Sequence, residues 1–155
     1  MVQGLIVRDS TRWMEDFAAE IETRKYGIIW KNQLSDFDEV ISELRKTLEK
    51  EGCFWLFNIS NNKTNCKFRI MDFATNSDYD SKKNDWREKY NPCWYENEFS
   101  EYAAGNKTAK IAFLVDKFEW INDSEQLNYN QFVTYKNKNA TVQNAVGFIE
   151  VNNDK

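Results

Sequence analysis

The segment CFWLFNIS, residues 53–60, predicts a β-strand with large apolar side chains on both of its faces. Successive side chains of a strand point to opposite sides of the sheet. The odd-numbered residues therefore share one face: Cys53, Trp55, Phe57 and Ile59. The even-numbered residues share the other: Phe54, Leu56, Asn58 and Ser60. We expect the Phe54 face to be core against a helix and the Trp55 face to line a cavity.

The residues before this strand predict two further strands and two helices. Residues 2–10 contain a short apolar strand that ends at a helix cap, and residues 11–24 carry apolar side chains at helical spacing. A compact strand follows over residues 26–32, where β-branched and aromatic side chains are concentrated. Ser35 is a good N-cap for the second helix, which we expect Gly52 to end in a left-handed conformation.

The residues after this strand predict a β-hairpin and then a long connection. Residues 66–74 form the second strand of the hairpin, across an asparagine-rich turn over residues 61–65. Residues 75–92 are polar and hold the single proline, so we expect a long loop of the kind that is often functional. Residues 93–99 predict a short strand.

The C-terminal third of the chain completes the sheet. Residues 107–121 give the strongest strand pattern, residues 124–132 suit a short helix or turn capped by Ser124, and residues 145–151 form a last strand. Within the strongest strand, alternate side chains face opposite sides: Ile111, Phe113 and Val115 against Ala112 and Leu114. The chain thus predicts an α+β fold, a small twisted mixed β-barrel or sheet of about six strands flanked by two or three helices.

The composition is rich in aromatic residues for a chain of 155 residues. Aromatic side chains make up 15% of it, with 6 Trp, 7 Tyr and 11 Phe. Such rings build cores, and they also stack on flat ligands such as nucleic-acid bases. The length fits one domain, and 41% hydrophobic with 30% charged residues is typical of a globular protein. Both a binding role and a purely structural role agree with these values.

The chain has no histidine, and its three cysteines are Cys53, Cys66 and Cys93. The usual general base near neutral pH and the histidine-containing zinc sites are therefore missing, and three thiolates cannot complete an all-cysteine zinc site. We expect no enzyme activity, no metal and no cofactor. Unpaired thiols, no visible signal peptide and no apolar run of roughly 20 residues predict a cytoplasmic protein without membrane contact.

The charge is unevenly distributed along the chain. The net charge of −4 argues against a simple clamp on the nucleic-acid backbone, although it permits a protein that reads one extruded base in an aromatic pocket. The stretch NNKTNCKFR, residues 61–69, carries three cations and no acid: Lys63, Lys67 and Arg69. These side chains could contact phosphates, or they could belong to an ordinary solvated loop.

The order of these elements resembles the PUA-like superfamily and its EVE, YTH and ASCH members. The strands GIIWKN, FWLFNIS and FRIMDFA are followed by a polar loop and by KIAFLVDKFEWINDSEQLNYNQF. That last stretch is similar to the EVE-like N-terminal DNA-binding domains of McrB-type modification-dependent restriction proteins. The resemblance covers residues 26–151 and implies a single domain over residues 1–155, with residues 1–25 as an N-terminal strand–helix addition.

The resemblance implies a cavity that holds a modified base, above all a methylated one, flipped out of DNA or RNA. Unstacking a base costs on the order of a few kcal/mol, and stacking between aromatic rings offsets that cost. The implied base-binding residues are Trp30, Trp55, Asn58, Ser60, Asp72 and Trp94, and the implied phosphate-binding residues are Lys63, Lys67 and Arg69. Trp30 and Trp55 would be the cage walls and Trp94 the lid, while the polar side chains would read the edge of the base.

Such a module would serve a restriction or defence system, with an attached or separate AAA+ motor and a nuclease as partners. The sequence departs from the family pattern at Glu51-Gly52 and at Asn58, which stands near the tyrosine expected in EVE domains. Ordinary core packing is the alternative role for Trp30 and Trp55, as is an ion pair with Arg69 for Asp72.

Two other functions remain open. The 25 acidic residues, with runs such as SDFDEVISE (35–43) and YENEFSE (95–101), agree with an acidic protein-interaction module. A phage-type inhibitor of a basic nucleic-acid-binding enzyme is one example. An enzyme would use carboxylate pairs such as Asp116 with Glu119, but no nucleophile or metal-ligand pattern accompanies them.

Overall fold

A computed structural model of the chain describes residues 2–9, 11–31, 33–92, 111–136 and 145–152. Within these ranges the protein has an α+β fold, as the sequence predicts, with three α-helices and one mixed sheet of seven strands where about six were expected. The strands are β1 (Gly4–Val7), β2 (Gly27–Lys31), β3 (Phe54–Ser60), β4 (Lys63–Thr75), β5 (Ile111–Trp120), β6 (Phe132–Thr134) and β7 (Val146–Val151). The helices are α1 (Thr11–Arg24), α2 (Phe37–Glu51) and α3 (Tyr79–Tyr90), and two short 3-10 turns lie at Asp123–Glu125 and Tyr129–Gln131.

The strand order across the sheet is β2-β5-β4-β3-β1-β7-β6. β1 and β3 are parallel, and every other neighbouring pair is antiparallel. The segment that the sequence suggested as an N-terminal addition, residues 1–25, therefore supplies an interior strand of the sheet. None of the helices in the described ranges has the length and apolar content that crossing a bilayer requires.

The sheet is open but strongly curled. In a flat sheet β1 and β2 would lie about 19 Å apart, because four strand spacings separate them. Nevertheless Asp9, just after β1, forms an ion pair with Lys31 at the end of β2. Leu34 and Ala145 form a parallel bridge that brings the end of β2 toward the start of β7. The sheet thus curls so that one face is concave and points inward, and the other face points outward.

The inner face holds the main core. Phe54 and Leu56 are buried there together with Phe17 of α1 and Leu44 of α2, which confirms that the Phe54 face packs against helices. The predicted alternation in β5 is also confirmed, since Phe113 joins this core whereas Leu114 points to the outer face. Burial of large apolar side chains from both helices fixes α1 and α2 on the inner side.

Two smaller clusters cover parts of the outer face. The α3 cluster contains Tyr79 and Trp86 of α3 packed on Ile28, Ala112 and Leu114. The C-terminal cluster contains Ile6, Ile59, Phe132 and Phe148, with Phe57 packed against it. Among the described residues Trp55 belongs to neither of these clusters nor to the main core. The outer face is therefore least covered at Trp55, between the two clusters.

The connection after the hairpin contains helix α3, so the prediction of a long loop over residues 75–92 is wrong. Only two side chains of α3 are buried, those of Tyr79 and Trp86. They stand seven residues apart, two helical turns, so no repeated apolar stripe marks the helix in the sequence. The segment 93–99, predicted as a strand, lies outside the described residues.

The turns differ from the sequence prediction in detail. The hairpin turn is two residues long, because Asn61 and Asn62 both adopt left-handed conformations, with φ of 51° and 66°, and β4 begins at Lys63. Asparagine tolerates this conformation better than most residues, which suits a tight hairpin. The N-cap of α2 is Asp36, so the Ser35 prediction is wrong, whereas Gly52 ends α2 with φ of 80° as predicted.

A methyl group at Gly4 should disrupt the contact between β1 and β3. A Cβ there would lie 2.3 Å from the backbone oxygen of Trp55, which cannot move without shifting β3. We expect Gly4→Ala to lower the free energy of unfolding by at least about 2 kcal/mol in urea titrations. Gly52→Ala is the matched control: its Cβ meets no atom, so only the left-handed φ costs about 1 kcal/mol. A Gly4→Ala variant as stable as Gly52→Ala would contradict the parallel β1–β3 contact.

Candidate nucleic-acid interface

An aromatic column and a cationic column lie side by side on the outer face, and Phe57 of the aromatic column also packs against the C-terminal cluster. In the register of β3 and β4, Trp55 stands opposite Arg69 and Phe57 stands opposite Lys67. All four side chains are partly exposed. We call these four residues the outer strip. They share a face because each pair is directly cross-strand and successive pairs are two residues apart.

Ion pairs and a cation–π contact order the strip. The ammonium of Lys67 lies 4.5 Å from the centre of the Trp55 ring and 3.4 Å from Glu119 of β5. The guanidinium of Arg69 donates two hydrogen bonds of 2.9 Å to the carboxylate of Asp116. This bidentate geometry is the strongest form of the pair. The cations are thus held in place before any ligand arrives.

The same contacts shift two pKa values, that of Arg69 in the strip and that of Glu119 in β5. The hydrogen-bonded carboxylate of Asp116 raises the pKa of the Arg69 guanidinium above its usual value. The hydrogen bond from Lys117, together with the positive charge of Lys117 and Lys67, lowers the pKa of Glu119 below its usual value. Arg69 and Glu119 therefore stay charged at neutral pH, and the carboxylates of Asp116 and Glu119 are ion-pair partners of Arg69 and Lys67.

An open groove of about 560 Å³ adjoins the strip and is lined in part by Phe57, Lys67 and Trp120. Trp120 is the most exposed large apolar side chain of the described residues, at 49%. The Thr64 hydroxyl also faces the groove, where its oxygen accepts a hydrogen bond from the backbone of Leu127. The lining of the groove carries charged groups of both signs, because Glu119 and Glu125 lie there together with Lys67.

The structure does not bring Trp30 and Trp55 together. They share the outer face, but β5 and β4 stand between their strands, which separates them by about 14 Å across the sheet. Trp30 packs against the α3 cluster. No single base can contact both rings, so they cannot be the two walls of one cage. Trp94, the predicted lid, lies outside the described residues.

Asn58 is on the inner face and has no exposed surface. Its side-chain oxygen accepts the backbone N–H of Asp9 at 2.8 Å, and its amide donates to Asn65 at 2.9 Å. The side chain is therefore used within the fold and lies on the opposite face from Trp55.

Ser60 ends β3 at the hairpin turn, and Lys63 follows that turn with an exposed side chain. These two lie at the far end of the hairpin from Trp55.

Asp72 attaches α3 to the sheet. One carboxylate oxygen accepts a hydrogen bond from Lys82 at 2.6 Å, and the other accepts the indole N–H of Trp86 at 2.9 Å. The suggested alternative, a pair with Arg69, is wrong, because Arg69 binds Asp116 instead. Asp72 is thus committed to the helix and not to the outer strip.

Three contributors to this surface have no predicted base- or phosphate-binding role: Phe57, Glu119 and Trp120. The residue pattern places Phe57 on the Trp55 face without a predicted role there. Glu119 and Trp120 could have been identified, because they end the strongest strand pattern, where alternating apolar residues give way to charged ones. Their closeness to Lys67 depends on the pairing of β4 with β5, which local periodicity does not specify.

Two cysteines, Cys53 and Cys66, lie in the described part of the chain with free thiols. Within it, no three histidine, cysteine, aspartate or glutamate side chains converge to hold a metal ion. Burial, and secondarily the negative charge of Asp9, raises the pKa of the Cys66 thiol to about 12. Cys66 therefore stays protonated at neutral pH and is neither a nucleophile nor a metal ligand there.

Comparison of the chain with family models, with curated proteins and with solved structures finds no match in any of the three. The resemblance to EVE-like domains therefore stays a prediction.

The role of Asp72 can be tested by removing its carboxylate. We expect Asp72→Ala to lower the free energy of unfolding by about 1–3 kcal/mol, because Trp86 keeps a buried N–H without an acceptor. Asp80→Ala is the matched control on α3, the helix that Asp72 contacts: its side chain is 96% exposed, so we expect a change within about 0.5 kcal/mol. Equal stability of the two variants in thermal and urea unfolding would refute an anchoring role for Asp72.

Proposed function

We propose that this chain is a nucleic-acid-binding module that reads a modified base at the outer strip and its groove. The observation that carries the proposal is the register of β3 and β4, which sets Trp55 and Phe57 beside Arg69 and Lys67. Partly exposed rings give a base a stacking surface, and adjacent cations give its phosphates a partner. The proposal includes a PUA-like fold, for which the curled mixed sheet is the supporting feature.

The ring of Trp55 is the proposed stacking surface. It is partly exposed and packs into none of the apolar clusters of the described residues, so its burial by a ligand is a net gain in apolar contact. Lys67 already lies over the ring at 4.5 Å, and a base would take the place of its ammonium, which could then turn to a phosphate. Stacking on an aromatic side chain contributes about 1–3 kcal/mol per base.

A specific observation also favours the second candidate, a protein-interaction module. Both strip cations have carboxylate partners, Asp116 for Arg69 and Glu119 for Lys67. This pairing reduces the positive potential that attracts a phosphate backbone, in agreement with the net charge of −4. A protein surface of mixed charge is a suitable partner for such a strip. The experiment below separates the two candidates.

Replacement of Trp55 tests the proposal directly. Fluorescence anisotropy would measure binding to matched oligonucleotides, DNA and RNA, with and without one methylated base. We expect tighter binding of a modified oligonucleotide and a loss of about 5- to 150-fold in Trp55→Ala, which corresponds to one lost stacking contact. Circular dichroism and the unfolding midpoint would show that the variant is folded.

Trp30→Phe is the matched control, because Trp30 lies on the same face but packs under α3. We expect its affinity to stay within about twofold of the parent. Equal affinity for modified and unmodified oligonucleotides would refute base reading. Indifference to every oligonucleotide, combined with binding of a purified basic nucleic-acid enzyme, would favour the protein-interaction module instead.

A further inference from the structure

The outer half of β5, Asp116–Trp120, has one unpaired edge among the described residues. β2 pairs with β5 only as far as Gly27 opposite Val115, so among the described strands the remaining residues of β5 pair with β4 alone. An unpaired strand edge presents backbone N–H and C=O groups to any second strand. An open groove of about 610 Å³ runs along this edge, lined in part by Ile21, Tyr26, Phe118 and Trp120. The described residues thus leave an open cleft between the C-terminal part of α1 and this part of β5.

We propose that two copies of this chain join through this edge, with their β5 strands antiparallel and Phe118 on the two-fold axis. The charges of the segment DKFEW, residues 116–120, select this register. With Phe118 at the centre, Lys117 of each copy stands opposite Glu119 of the second copy. Opposite charges in directly cross-strand positions stabilise antiparallel pairs. The interface is isologous, as a two-fold dimer requires.

The neighbouring registers lack this complementarity. Centring the pair on Lys117 places the two lysines against each other, and centring it on Glu119 places the two glutamates against each other. Like charges directly opposite each other are destabilising. A parallel pair in register places lysine against lysine and also glutamate against glutamate. Only the register centred on Phe118 therefore matches every charge of the segment with an opposite charge or with Trp120.

The same arrangement covers the exposed indole. Trp120 is 49% exposed and borders the groove that the second strand would occupy. In the proposed register it stands opposite Asp116 of the second copy, at the end of the paired segment. Lys117 and Glu119 lie 3.2 Å apart within one copy, so the dimer joins two such pairs into an alternating square of charges. The inference does not depend on the function of the outer strip.

Charge reversal tests the register. Sedimentation velocity at low salt would measure the dissociation constant of the dimer for Lys117→Glu, for Glu119→Lys and for the double variant. We expect each single variant to bind itself at least about tenfold more weakly than the parent, because like charges then face each other. The double variant restores opposite charges and should dimerise like the parent.

Mixing the two single variants gives the sharpest result. One copy then carries two glutamates and the other two lysines, so we expect a heterodimer from two proteins that are each monomeric. Lys50→Glu is the matched control, since it makes the same charge change on an exposed residue of α2. Circular dichroism of each variant would show that it is folded. A parent chain that stays monomeric at every concentration, or single variants that dimerise as well as the parent, would overturn the proposal.

Discussion

The buried amide of Asn58 is the interaction on which the arrangement of the sheet depends. Its oxygen accepts the N–H of Asp9 at 2.8 Å, and its nitrogen donates to Asn65 at 2.9 Å and to the carbonyl of Asp9 at 3.3 Å. These bonds fix Asp9 just before α1. Its carboxylate forms an ion pair there with Lys31 of β2, a strand four positions away from β1 in the sheet order. A buried polar group that loses its partners costs about 1–3 kcal/mol, so this network constrains β1, β2 and β3 together.

The curl that this network stabilises decides which residues a ligand can reach. Apolar side chains of α1 and α2 fill the inner face, and α3 and the C-terminal strands cover two parts of the outer face. What stays open is the part of β3 and β4 that carries Trp55 and Arg69, together with the far half of β5. The proposed binding surface and the proposed dimer edge are thus consequences of incomplete coverage by the described residues, since β2 is shorter than the strand that it pairs with.

The sequence is most informative where structure is local. The bounds of α1 follow from apolar spacing, the end of α2 follows from Gly52, and the alternation of β5 follows from its residue pattern. It is least informative where structure depends on partners that are distant in the chain. The separation of Trp30 from Trp55 is set by strand order, and α3 is held by Asp72 and Trp86 rather than by an apolar stripe. Neither feature leaves a periodic signal, which explains why the aromatic cage and the long loop were expected.

The central claim is that the outer strip, and not a cage that includes Trp30, contacts the ligand. Two-dimensional NMR of the six tryptophan indole N–H groups during titration with a methylated oligonucleotide tests it most directly. The account predicts that the resonance of Trp55 shifts most, with a smaller shift of Trp120 beside the groove, while that of Trp30 stays in place. Saturable shifts centred on Trp30, or no shift of Trp55 on binding, would contradict it.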